Sequence, residues 1–350
     1  MSAHDFQPPA SLENFLPLGL QDVEQLRLVL SGHSALDWYK LSIKSEQQAK
    51  QFLYLLGVDL ERADDRAHLK AMYEQALTYL DTYIKQIVVD EVRYLKQPEQ
   101  LLFIASQGGK AAQDACILLK VMHVSHHVAG RELLYQLPVP IQELFYRVEK
   151  RVFEAIDTMR SAGIKITQFE GSRKTKASII TKLLRRSDSL AAEVHDRIRF
   201  RIITEDLNSL FEALVFLTRN LFPFNYIVPG ESRNDLLDLQ ATLGADPYLQ
   251  NLAQNMQKLP AGKDASNPYS AKGFKMINFV VDLPVRVDDL IHHLPKHTAQ
   301  QGNSIFLLIE FQLVDRVTHY HNSTGDNRHA LYKERQVKEV IHRLTADREE

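Results

Sequence analysis

From about residue 20 to about residue 160, apolar positions recur at helical spacing. Met72, Ala76, Leu77, Leu80 and Ile84 return every three or four residues, and so do Leu144, Val148, Val152, Ile156 and Met159. Such stripes predict amphipathic helices with one face buried. Leu26, Leu28 and Leu30 open the run. Trp38, Tyr39, Leu41 and Ile43 lead into Phe52, Leu53, Leu55 and Leu56, and Ile117, Leu118, Val121 and Met122 mark a further helix. Breaks are expected at Gly57, Gly108-Gly109 and Pro138 to Pro140. Residues 1–20, with Pro8, Pro9 and Pro17, read as a loose lead-in.

The period changes after Gly163. In Val194 to Thr204, Arg197, Arg199 and Arg201 alternate with Ile198, Phe200 and Ile202. Period-two alternation predicts a strand with one basic and one apolar face. Leu207 to Leu221 reads as a helix, Phe274 to Leu283 and Ile305 to Val314 as strands, and Tyr332 to Thr345 as a closing helix. Asp246 to Ser270 is polar and contains Pro, with a short helix expected around Leu249 to Met256. A run of helices followed by strands mixed with helices predicts an α+β protein. We divide it into an all-α helical part, residues 1–162, and a mixed-sheet part, residues 163–350.

Composition narrows the function classes. The chain has 350 residues, 42 Lys plus Arg against 44 Asp plus Glu, a formal net charge of −2 and 45% hydrophobic residues. These values exclude a disordered chain and fit a two-domain globular protein. Net charge gives no global argument for nucleic acid. The single cysteine, Cys116, excludes an internal disulfide framework and a multi-cysteine metal centre. No apolar run reaches the length of a membrane span. Met1 to Pro9 lacks the basic and apolar regions of a secretory signal, so a reducing, cytoplasmic home is expected.

The residue types that carry chemistry are few. Glu310 interrupts the apolar run Ser304 to Val314 and shares a strand face with Gln312. A carboxylate in an apolar interior needs a metal, an arginine or a solvent-filled cleft. A structural ion pair or an edge strand is the plainer alternative. Asp196 stands at the start of the basic-faced strand, whose arginines could equally be a solvated, salt-bridged face. Two acids on neighbouring strands could together hold Mg²⁺ with room left for phosphate. From Arg173 to Arg201 there are nine basic residues against Asp188, Glu193 and Asp196, a local positive region suited to RNA or to a polyphosphate nucleotide. Were Gly171 to Arg186 helical, Lys174, Ser178 and Lys182 would line one face. His123 and His127, at i and i+4, have a metal-compatible spacing but no third ligand.

In order, these segments resemble the synthetase domain of the RelA/SpoT homologues, over about residues 165–345. Glu310-Phe-Gln-Leu-Val-Asp-Arg-Val-Thr-His319, running on to Gly325, His329, Tyr332 and Lys333, is similar to that family's E-I-Q-I-R-T-R-x-x-H and G-x-x-x-H-x-x-Y-K segments. His195 to Ile203 is similar to its D-I-x-x-x-R-I strand and Lys174 to Lys182 to its K-x-x-x-S-I-x-x-K helix. Val228-Pro-Gly230 with Arg233-Asn-Asp235 resembles its P-G-R-x-K-D loop, and Gly273 to Asn278 its G-Y-Q-S-L-H segment.

The resemblance implies a mixed-sheet, nucleotidyltransferase-like fold and transfer of pyrophosphate from ATP to the 3′-OH of a guanine nucleotide. It implies that Asp196 and Glu310 hold Mg²⁺, for which Mn²⁺ could substitute, with Glu310 also a candidate base. Arg173, Lys174, Ser178, Lys182 and Arg201 would bind ATP. Phe274, Gln312, Arg316 and His319 would line the acceptor. Departures fall at Ser172 and Arg173, where the family's Arg is one place off, and at Asn234, Asn278 and Val314, which replace Lys, His and Arg. They leave open GDP or GTP, an adenine nucleotide or a tRNA 3′-end as acceptor, or nucleotide or RNA binding without catalysis. No membrane partner is expected, and the sequence leaves monomer and homo-oligomer open.

Overall fold

A computed structural model describes residues 19–32, 38, 41–185, 198–245, 274–291, 302–324, 337–338 and 340–341. Among the described residues seven α-helices come first: α1 (Leu20–Ser31), α2 (Glu46–Leu55), α3 (Ala63–Tyr79), α4 (Asp90–Arg93), α5 (Gln100–Ala105), α6 (Lys110–Gln136) and α7 (Ile141–Ser161). β1 (Ile166–Arg173), α8 (Lys176–Arg185), β2 (Ile198–Thr204), α9 (Leu207–Asn220), β3 (Arg233–Asn234) and α10 (Leu239–Ala245) follow. Then come β4 (Ile277–Arg286), α11 (Asp288–Ile291), β5 (Ser304–Asp315) and α12 (Arg316–Ser323). The α+β class expected from the change of period is the one observed.

Local chemistry sets the boundaries. Pro140 precedes α7, whose stripe Leu144, Val148, Val152, Ile156 and Met159 is buried throughout. Asp206 caps α9 by accepting from the Ser209 amide at 2.7 Å, and Asp315 caps α12 by accepting from the Val317 and Thr318 amides at 3.0 Å. α3 passes into a π-helical turn at Leu80–Ile84, closed by Lys85 with φ 56°. Gly109, with φ 90°, turns the chain into α6.

One element differs from the sequence expectation. Gly171 to Arg173 is strand, because β1 pairs with β2 as far as Arg173 opposite Ile198. α8 starts only at Lys176, after Thr175 Oγ1 accepts from the Ser178 amide at 3.3 Å. Lys174 therefore precedes the helix that carries Ser178 and Lys182. The short helix expected near residues 249–256 lies outside the described residues. Of the closing helix at 332–345, only 337–338 and 340–341 are described, and they are helical.

The five strands form one mixed sheet in the order β1-β2-β5-β4-β3. β2 and β5 run parallel, and the other neighbours are antiparallel. Phe200, Phe311 and Phe279 stand in register on one face, ring centroids 5.8 and 5.7 Å apart, with Phe222 packed on them. The opposite face is divided. Its lower part, around Phe306, is covered by α6, and its upper part carries polar side chains. The buried apolar cluster runs without a break from Val23 in α1 to Leu313 in β5.

Candidate functional site

Register builds the polar part of the sheet. Arg199 lies opposite Glu310 and Arg201 opposite Gln312 across the parallel pair. Asn278 lies opposite Gln312 on the other side, and Glu170 opposite Arg201 at the β1 edge. Side chains two apart point the same way, so one strand-to-strand alignment gathers all of these residues on one face.

Glu310 is the centre. It is only 4% exposed. Its Oε2 accepts from Arg199 Nε at 2.8 Å, and its Oε1 accepts from Gln312 Nε2 at 2.8 Å and Asn278 Nδ2 at 3.1 Å. Of the three solutions open to a buried carboxylate, the described residues supply the arginine. Gln312 relays the network outward: its Oε1 accepts from Arg201 Nε at 3.1 Å and Nη2 at 2.9 Å. Glu170 approaches Arg201 to 3.9 Å. Burial holds the Arg201 guanidinium below its usual range, against the opposing pull of Glu170. Burial and then the Arg201 charge push the His319 imidazole below its ordinary value, which favours the neutral ring at pH 7.

The other expected site residues are placed as follows. Arg173, at the end of β1, commits Nε and Nη2 to the two oxygens of Glu149 on α7, both at 2.6 Å, and lies 5.6 Å from the Phe145 ring centre. Ser178 is exposed in the first turn of α8, its Oγ 3.0 Å from Thr175 Oγ1. Lys174 is half-buried between β1 and α8. Phe274 is half-buried just before β4, and Arg316 is exposed at the start of α12. Asp196 and the Lys182 side chain lie outside the described residues. Glu310, Gln312 and Arg201 thus form one network within reach of His319, whereas Arg173 is turned to α7. Asn234, where the resembling family has Lys, holds its own loop, accepting from the Leu237 amide at 2.9 Å and donating to the Leu237 carbonyl at 2.8 Å. Val314 is buried opposite Ile203 and ends the polar face in apolar surface.

Two partners were not singled out in the sequence as partners of Glu310. Arg199 was visible only as one member of a basic face, and Asn278 only as a departure from a motif. Their meeting at Glu310 depends on which residues the paired strands set opposite each other, which the alternation within any one strand does not state.

Magnesium is the ion that the resemblance implies. Glu310 is chemically suited to a hard cation. Its oxygens, however, face a guanidinium and two amides, and no group of three or more His, Cys, Asp or Glu among the described residues could hold a metal. The described residues as arranged do not fit a resident Mg²⁺. No described helix is long and apolar enough to cross a membrane.

No family model matches the chain, and no curated protein matches it. Solved structures do. Small alarmone synthetase 1 from Bacillus subtilis, bound to its product pppGpp, is 16% identical over 52% of this chain and 73% of its own, with a TM-score of 0.27. Small alarmone synthetase 2 from the same organism is 14% identical over 62% and 91%, with a TM-score of 0.32. A GTP pyrophosphokinase family protein from Streptococcus pneumoniae is 14% identical over 59% and 90%, with a TM-score of 0.26. The solved structures this chain is similar to include small alarmone synthetases and a GTP pyrophosphokinase family protein. At these identities and TM-scores the likeness carries no weight for chemistry, which stands on the residues themselves.

Proposed function

We propose that this chain binds a nucleoside polyphosphate on the polar face of the sheet and transfers pyrophosphate from ATP to the 3′-OH of a second nucleotide. The observation that supports this is a buried acid, Glu310 of β5, held by Arg199 of the neighbouring β2, with a second guanidinium of β2, Arg201, on the next residue of the same face, Gln312. Phosphoryl-type transfer asks a protein mainly for positioning and charge, and guanidiniums on a half-buried face supply both for phosphate. In the reaction the acceptor 3′-oxygen attacks the β-phosphorus of ATP. The bond from that phosphorus to the bridging oxygen breaks, AMP leaves with the bridging oxygen, and the 3′-OH proton passes to a base, for which Glu310 is the candidate. Mg²⁺ enters with ATP as part of the substrate. GDP or GTP is the first acceptor to test, and the cytoplasm the compartment that fits the buried thiol of Cys116.

A second reading is nucleotide binding without turnover. One observation favours it: three hydrogen bonds already fall on the Glu310 oxygens, which leaves the carboxylate little room to meet a 3′-OH.

The test is incubation of the full chain with γ-labelled ATP and Mg²⁺, offering GDP, GTP, AMP, ADP and bulk tRNA separately, beside Glu310→Ala. Label moving to one acceptor in the wild type alone supports transfer and names the acceptor. Folded protein that binds nucleotide but labels no acceptor selects the second reading.

A further inference from the structure

The far end of α3 carries more apolar surface than a folded chain ordinarily leaves in water. Tyr79 is 44% exposed, Tyr83 73%, Ile84 54%, Ile87 83% and Tyr94 73%. Local contacts gather them. The Tyr79 and Tyr83 rings lie 5.4 Å apart. Arg93 donates from Nη1 and Nη2 to the two Asp81 oxygens at 3.0 and 2.6 Å, which holds Tyr94 beside the π-helical turn. The Gln86 amide donates to the Leu80 carbonyl at 3.2 Å, turning the chain back just before Ile87. At about 200 Å² for a fully exposed side chain of this size, the five offer about 650 Å². The largest apolar patch on a monomer is ordinarily about 300–600 Å². The backbone here is also costly. Lys85, which ends the π-helical turn, is the one non-glycine with a left-handed φ among the described residues, and such strain clusters where a segment has a task. The nucleotide reading gives this surface none. α3 meets the sheet at its start, where Asp65 pairs with Arg286 of β4, and at 1.5 Å per residue Tyr79 lies about 21 Å further along the helix.

We infer that residues 79–94 form a self-association surface, through which two copies of this chain pair about a twofold axis. Area is the first argument. A twofold contact uses the patch once on each copy, so about 1,300 Å² is available, within the span of about 1,200–2,000 Å² that specific interfaces bury and above most chance contacts. Charge is the second. In a twofold interface residue i of one copy meets residue j of the other and the reverse, so the patch must be complementary to itself. Lys85 and Arg93 stand among Asp81, Asp90 and Glu91 around the tyrosines and isoleucines. Both signs on one rim let a copy meet its own kind, whereas a rim of one sign would repel its copy and call for an opposite partner. Tyrosine suits such a contact. It supplies a large apolar ring, and its hydroxyl keeps a partner or water at the edge.

Sedimentation velocity of the full chain from about 1 to about 100 μM is the test. The wild type is expected to move with concentration from the 40.2 kDa of one chain to twice that mass. Tyr83→Ser/Ile87→Ser strips two of the most exposed side chains and is expected to weaken pairing at least about a hundredfold. Tyr135→Ser is the control, because Tyr135 is 86% exposed on α6, outside the patch. It is expected to pair like the wild type. Circular dichroism establishes that each variant is folded. Should the double variant fail to fold, Tyr94→Glu, which sets a charge in the same patch, takes its place. A wild type that stays at 40.2 kDa up to about 100 μM overturns the inference and leaves the face to a different protein. A dimer that persists unweakened in folded Tyr83→Ser/Ile87→Ser overturns it as well, because the contact then lies elsewhere. Neither result bears on the transfer reaction, which the labelled-ATP experiment judges separately.

Discussion

Gly130 shows how one residue can reverse a general rule. In the interior of a long exposed helix, replacing Gly by Ala is worth up to about 1 kcal/mol of stability through backbone entropy. Gly130 lies on the face of α6 that meets β5. A Cβ there would stand 2.5 Å from the Phe306 ring and 2.9 Å from the Ser304 carbonyl oxygen. The carbonyl belongs to a strand in the middle of a sheet and has no room to move. We expect Gly130→Ala to destabilise the fold by about 1–3 kcal/mol, the usual cost of overpacking, measured by urea unfolding. A gain in stability would mean that α6 does not sit this close to β5. Glu310 was legible at the same scale, because an acid inside an apolar strand has few solutions. The particular solution was not, since the alternation marks Arg199 and Arg201 equally while register alone decides which meets the acid.

Among elements, α6 is where helix and sheet are joined by histidines. His123, His126 and His127 of α6 and His68 of α3 gather around Tyr226 and Phe306, with His127 stacked 4.2 Å from the Phe306 ring and 3.3 Å from Asp282. Burial is the leading cause that lowers all four imidazoles, most clearly His126, pushed down to about 3. For His127 the Asp282 carboxylate opposes the shift and the Arg131 charge adds to it. Asp65 opposes it for His68. A histidine with a lowered folded value binds fewer protons folded than unfolded. Its stabilising share is therefore full above the unfolded value of about 6.5 and is lost as pH falls below it. For His126 the loss continues down to about 3, and at about 1.4 kcal/mol per pH unit it reaches several kcal/mol. We expect urea midpoints to be flat from about pH 8 to 7 and to fall steeply below about pH 6, with the slope reduced in His126→Phe. A midpoint indifferent to pH over that range would contradict the buried cluster. Helix α6 itself was legible from its period. Strand β1 was not, because most of its residues are exposed and an edge strand with one poorly covered face leaves little alternation.

For the whole molecule, the question is whether the helices and the sheet are two bodies or one. Period and composition show which face of each element is apolar. They do not show which faces meet, so the sequence suggested a division near residue 162 and was silent on the contact across it. That contact is extensive and varied. Arg151 of α7 is half-buried and donates to the Pro284 carbonyl at 2.7 Å and the Leu221 carbonyl at 2.8 Å. Burial brings its guanidinium down to about 10, so it remains charged at neutral pH. Arg147 forks onto Asp289 at 2.8 and 2.7 Å. Arg286 of β4 reaches back to Asp65 and to the Gly57 carbonyl. Beneath these lie the α6 histidines on Phe306 and the unbroken apolar cluster. Surface ion pairs alone would contribute little. Carbonyls left without their donor and a bared Phe306 are each costly. The expected outcome is that residues 163–350 expressed alone are insoluble or melt without a cooperative transition, while the full chain melts in one step followed alike by near- and far-ultraviolet circular dichroism. A soluble fragment with a sharp transition would make the sheet an independent body. The polar face around Glu310 would then owe its geometry to the strands alone. If the fragment fails as expected, α6 and α7 support β5 and β4 and with them the β2–β5 register that brings Arg199 and Arg201 to Glu310 and Gln312, and the helices belong to the site as its support.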